Sequence, residues 1–164
     1  MVARSRSACA FTLSVELLGD PWTLLILRDM LFFDRRTFRQ LLAGSPERIS
    51  SSVLANRLKR LVAAGMLTRS GDRAHEQTAV YSLTEKSISL FPTLVQISLW
   101  GRDNLPNSVA KNHEIWAVMD GGPRAWGRFM AGLRERHLGA GPAPAKAARS
   151  ARAAKALQTD PDGR

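Results

Sequence analysis

The segment ISSSVLANRLKRLVAAGML, residues 49–67, holds the side chains best suited to work on another molecule. On a helical wheel with ~100° per residue, Leu54, Leu58, Leu61 and Gly65 fall on one side, and Ser52, Asn56, Lys59 and Arg60 on the other. Small polar residues at a helix start, here Ser50, Ser51 and Ser52, let the N-terminal turn approach a phosphate or a base edge with its N–H groups and positive dipole end. Asparagine reads adenine and arginine reads guanine in a major groove. Ser51, Ser52, Asn56 and Arg60 are therefore candidate base readers, with Ser50 beside them, and Arg57 and Lys59 serve as phosphate contacts or packing residues. A solvated helix face has the same composition, so the flanking segments must decide between the two.

Those segments agree with one another. CAFTLSVELLG, residues 9–19, has the spacing of a short amphipathic helix, and Asp20 and Pro21 suit the cap and first position of the next. PWTLLILRDMLFF is apolar nearly all round, as a central buried helix is. TFRQLLAG, residues 37–44, predicts a short helix, SPERIS a turn, and Ser50 an N-cap for the helix that runs to Gly65. Two helices joined by a short polar turn make a helix-turn-helix. MLTRSG and AVYSLT then alternate as strands do, with DRAHEQT between them as a hairpin tip. The expected fold is mainly α with a small β-hairpin, a winged helix-turn-helix.

In that frame Arg35, Arg36 and Arg39, together with Arg48 in the turn, are candidate phosphate contacts, each steepening the salt dependence of binding. Arg73 at the hairpin tip would touch the flanking backbone or a minor groove; His75 beside it fits a solvated turn as well. From Thr84 a helix is expected to about Asn104, with a kink or late start at Pro92. Residues 105–138 predict a helical extension. Its stripe of Trp126, Phe129, Met130 and Leu133 must be covered by the domain or by a second subunit. Residues 139–164 are low-complexity, Ala-rich and basic, and are expected to be disordered.

The chain has 164 residues, 45% of them apolar, and a formal charge of +10. The excess is shared, net +5 over residues 1–104 and net +5 over residues 105–164, so the basic character is not confined to the tail. Such a balance favours an acidic partner. The single cysteine, Cys9, rules out an intramolecular disulfide framework and any multi-cysteine zinc site, and fits a reducing compartment. The most apolar run, residues 22–33, is broken by Arg28 and Asp29 and falls short of the ~20 residues of a spanning helix. The N-terminal segment lacks a signal-peptide pattern, and a cytoplasmic protein is expected. His75, His113 and His137 are scattered, and neither a metal-binding spacing nor a glycine-rich phosphate loop is present. No enzyme, metal or cofactor is expected.

Cys9, LLGDPWTLLILRDML at 17–31, TFRQLLAGSPERISSSVLANRLKRLVAAGML at 37–67 and VYSLTEKSISLFP at 80–92, in this order and spacing, resemble the bacterial HxlR-type regulators, a MarR-like branch of winged helix-turn-helix transcription factors. The resemblance implies a DNA-binding domain over residues 1–104 that forms a homodimer through helices at 9–19 and 84–104. It implies two recognition helices on adjacent major grooves of a pseudo-palindromic operator in double-stranded DNA. It also implies repression rather than activation, and an oxidant or electrophile sensor at Cys9, where Arg4 and Arg6 would favour the thiolate.

Two other readings remain at this stage. Lys146, Arg149, Arg152 and Lys155 recur every three residues in the tail, as in a basic protein that coats DNA non-specifically. A small-molecule signal is the other, bound between the dimer helices and the Trp22 helix, with Trp100, Trp116 and Trp126 as lining; aromatics at that spacing fit a core or an interface equally.

Overall fold

A computed structural model describes residues 8–71, 79–106 and 113–139. The order is α1 (Ala10–Leu18), α2 (Pro21–Phe33), α3 (Phe38–Gly44), α4 (Ser51–Ala63), β1 (Leu67–Ser70), β2 (Val80–Leu83), α5 (Glu85–Ile88), α6 (Phe91–Asn104), α7 (His113–Asp120) and α8 (Gly122–Leu138). No single described helix is long and apolar enough to cross a membrane, and α1 meets α2 at 80°.

Local chemistry sets the helix starts. The Asp20 carboxylate accepts the Thr23 N–H at 3.1 Å, and Pro21 follows in the first turn, where a missing N–H costs nothing. Thr37 and Gln40 form a reciprocal capping box on α3. The Ser50 hydroxyl accepts the Val53 N–H at the start of α4. At the other end of α4, Met66 N–H reaches Leu61 O and Gly65 N–H reaches Val62 O, the paired bonds of a Schellman stop. Gly65 takes φ +68° there. It was placed on the buried face by spacing, but it lies past the helix end and is exposed. A Cβ at Gly65 would meet no atom within 4 Å, so only the left-handed backbone opposes substitution. Gly65→Ala is expected to cost about 1 kcal/mol, measured as a lower denaturation midpoint with an unchanged urea slope.

Ile26, Leu27, Met30 and Leu31 of α2 occupy the centre of the core, facing Leu41 of α3 and Leu54, Leu58 and Leu61 of α4. The hairpin pairs β1 with β2 antiparallel, Leu67 opposite Leu83 and Ser70 opposite Val80. On its other side, β2 takes an isolated bridge from Thr37, and Tyr81 N–H donates to Arg36 O at 2.7 Å. The helix predicted from Thr84 is divided into α5 and α6, and Pro92 sits in the first turn of α6, as a late start requires.

The extension packs on this core. Phe129 of α8 stacks on Phe91 of α6 with centroids 4.8 Å apart, and Phe32 of α2 lies 5.5 Å from Phe91. Leu133 is buried in the same cluster, and Trp126 donates its indole N–H to Met119 O across the α7–α8 corner. The apolar stripe of α8 is therefore packed against the chain's own core, Leu133 fully and Trp126, Phe129 and Met130 in part. Arg134 grips Glu85 through two bonds of 2.9 and 2.6 Å.

His137, near the end of α8, reaches the hairpin itself: its Nδ1 accepts Leu83 N–H at 3.2 Å. Burial first, then the charges of Arg36 and more weakly Arg136, push this imidazole down to about 4, against the pull of Asp34, whose Oδ1 lies 3.7 Å from Nε2. Protonating Nδ1 removes the acceptor of Leu83, so the folded state favours the neutral ring. The unfolded chain takes up its proton near 6.5 and the folded chain only near 4, so stability is complete above 6.5 and falls as the pH drops between the two. The loss is on the order of 3 kcal/mol at most. Melting curves between pH 7 and pH 4 should show it, and His137→Asn, which keeps an acceptor near Nδ1, should flatten the dependence.

Candidate nucleic-acid interface

The candidate interface is built on α4. Leu54, Leu58 and Leu61 are buried against the core, so Ser51, Ser52, Asn56, Lys59 and Arg60 are all turned to solvent. The N-terminal turn of α4 is open in the way its serines suggested. Ser50 spends its hydroxyl on the cap, with the Ser52 hydroxyl 3.3 Å away, while the small side chains of Ser51 and Ser52 leave the first N–H groups and the positive end of the helix dipole accessible.

The remaining cations divide into two groups. Arg39, at the start of α3, and Arg48, in the turn before α4, are exposed, and Arg48 holds φ +58°. Lys59 stands over a recess of about 140 Å³ between α4 and the hairpin, together with Arg69 and Tyr81. Arg60 borders a second recess of about 280 Å³ beside α1, which also carries Glu16 and Asp20. By contrast, the guanidiniums of Arg35, Arg36 and Arg57 are each anchored within the protein, Arg35 by one bond only. Arg35 bonds Asp29 at 2.9 Å and lies 4.8 Å from the centre of the Phe33 ring. Arg36 donates to Ser82 Oγ, to Tyr81 O and to Arg136 O. Arg57 pairs with Asp20 at 2.8 Å, which fastens the middle of α4 to the corner between α1 and α2. Of the phosphate-contact or packing alternatives for Arg57, this geometry is packing.

Arg73 and His75 lie outside the described residues, as do Arg4, Arg6 and the basic tail. Arg69 was not singled out from the sequence. Its signal was strand alternation, which puts it on the Leu67 face of β1, next to the α4 seam, rather than with Thr68 and Ser70. Cys9 is the exposed N-cap residue of α1, and hydrogen bonds from the Thr12 and Phe11 backbones and the Thr12 side chain hold its thiol below the ordinary value. Among the described residues, no group of three or more His, Cys, Asp or Glu side chains is placed to hold a metal ion.

The HTH-type transcriptional regulator Rv3095 of Mycobacterium tuberculosis is 38% identical over 93 residues, 57% of this chain and 57% of that protein. The chain thus matches little more than half the length of that relative. YvaP of Bacillus subtilis, also an HTH-type transcriptional regulator, is 33% identical over 93 residues, covering 57% of this chain and 84% of YvaP. The crystal structure of PA1607 superposes with a TM-score of 0.55 at 28% identity, over 66% of this chain and 73% of that one. The family and these relatives are regulators, not enzymes. The HxlR-like helix-turn-helix profile matches residues 17–109, from the last turn of α1 past the end of α6, and the chain belongs to that family.

Proposed function

We propose that this protein is a sequence-specific DNA-binding transcriptional regulator that acts as a homodimer on an inverted repeat and represses by occluding a promoter. The observation that carries the reading is α4 itself, buried along Leu54, Leu58 and Leu61 and open at Ser51, Ser52 and Asn56, with a hairpin immediately beyond it. Asn56 and the two serines lie at the centre of the base-reading surface and Arg60 at its far end. Arg39, Arg48 and Lys59 supply phosphate contacts, joined by Arg73. Arg35, Arg36 and Arg57 act indirectly, by fixing the elements that carry the others.

Exposed apolar side chains support the dimer. α1 buries none of its residues and presents Phe11, Leu13 and Val15 to solvent, while Ile97 and Trp100 stand exposed on α6. Exposed apolar residues grouped on two helices are the usual mark of a surface covered by another chain.

Selection of bound genomic fragments, followed by affinity measurement at one fixed salt concentration, tests the reading. A shared inverted repeat, bound ~10³-fold or more over shuffled sequence, is the expected result. Equal and steeply salt-dependent binding to every fragment would instead establish the non-specific DNA-coating protein. On the selected site, Asn56→Ala should cost ~1–3 kcal/mol and relax the preference at one base position. An equal loss on all sequences would make Asn56 a phosphate contact.

A further inference from the structure

A further cleft lies away from the recesses beside α4. It measures about 590 Å³ and is enclosed by α2, the turn between α3 and α4, α6 and α7. That volume is in the range of small-molecule sites. The α7 wall lies beyond the matched family segment, which ends at residue 109, while the other walls lie within it.

Its lining is of two kinds. The apolar and aromatic lining comprises Phe32 from α2 and Ile115, Trp116 and Met119 from α7. Arg102 lies 5.0 Å from the centre of the Trp116 ring and is itself bound to Asp120, so the indole is held before any ligand arrives. The charged lining comprises Arg28, Arg35 and Glu47. Arg28 is almost saturated, with two bonds to Asp29 and two to Glu47. Arg35 gives one N–H bond, to Asp29. Most of its five donors stay available, and the group is held in place over Phe33. Gly44 makes room for it, since a Cβ there would come within 2.3 Å of the Arg35 Nε.

From this we infer that the cleft is a binding site for a small aromatic carboxylate, its ring between Phe32 and Trp116 and its carboxylate on Arg35. An anion suits the site because a planar guanidinium with unused donors forms paired, charge-assisted bonds to a carboxylate, which a neutral amide cannot match. Pro46 and Glu47, which lead into the α4 cap, form part of the wall, so a carboxylate bound on Arg35 repels the Glu47 carboxylate in the same cleft, strains its bonds to Arg28 and shifts the helix that carries Ser51, Ser52 and Asn56. This coupling rests on the DNA-binding reading; the site itself does not.

Titration calorimetry of the full chain with naphthoate, and with naphthamide as its neutral counterpart, tests the site. Saturable naphthoate binding is expected, weakened roughly tenfold or more by the change to the amide and by Arg35→Gln. Circular dichroism checks that Arg35→Gln is folded, and Trp116→Ala, which leaves Asp29 and its partners untouched, should weaken binding independently. No saturable heat up to the solubility limit, equal binding of the amide, or indifference to both substitutions would overturn the site. Saturating naphthoate should then change affinity for the selected DNA by roughly fivefold or more, and an unchanged affinity would overturn the coupling. A chain that binds naphthoate but no DNA overturns the DNA-binding reading and upholds the site; a chain that binds DNA but not naphthoate does the reverse.

Discussion

Changing Phe11 and Trp100 together to glutamate is expected to give a folded monomer that has lost roughly 10²–10⁴-fold in affinity for the inverted repeat. The two side chains are 76% and 61% exposed within the subunit, so the substitutions remove little from the subunit's own core and should leave its melting temperature nearly unchanged. Between two subunits the same change buries carboxylates without partners, which an apolar contact does not tolerate. The size of the loss follows from linkage: in a dimer the second half-site is bound at the high local concentration set by the first, and a monomer forfeits that advantage. Binding to an isolated half-site should stay the same. Analytical ultracentrifugation with parallel affinity measurements checks both parts, and a wild-type chain that sediments as a monomer would end the dimer proposal.

Phe91→Ala is expected to have the largest effect on stability, a loss of about 3–5 kcal/mol. Phe91 is completely buried where α2, α6 and α8 meet, stacked on Phe129 and tilted against Phe32. Removing the ring leaves a cavity that three helices would have to close at once. A small domain holds only about 5–15 kcal/mol in total, so the variant should lose much of its urea resistance. Phe129, which is partly buried, should cost less when truncated, and the double variant should show a coupling of ~0.5–1.5 kcal/mol. Strict additivity would mean that the stacked pair contributes only as two separate apolar groups.

The parts of this fold that were legible in the sequence are those governed by neighbours along the chain. Asp20, Thr37 and Ser50 cap the helices they precede because a cap needs only the next three residues, and Pro92 divides α5 from α6 for an equally local reason. Alternation gave the hairpin. The side chains left uncertain were those whose partners are remote. Arg35, Arg36 and Arg57 have the composition of phosphate contacts, yet Asp29, Ser82 with Tyr81, and Asp20 occupy them in space. Nothing in the spacing of a basic residue distinguishes an unanchored guanidinium from one held by a partner. The cleft was legible in part: Trp116 and the Trp22 helix stood as walls of a small-molecule site, but Trp100 and Trp126 are not among its lining, and Phe32 and Arg35, far from Trp116 in sequence, carried no signal of facing it.

The bonding on the outer side of β2 bears on how this protein behaves when crowded. A two-stranded sheet ordinarily offers two open edges, each able to recruit a strand from another molecule. Here Tyr81 N–H is taken by Arg36 and Leu83 N–H by His137, so the extension and the segment before α3 together close one edge. The other edge, β1, is four residues long and carries Thr68, Arg69 and Ser70, a short polar stretch that is a poor template for strand addition. The last turn of α8 therefore occupies a hydrogen-bonding position on β2 that a strand from another molecule would need in order to add there.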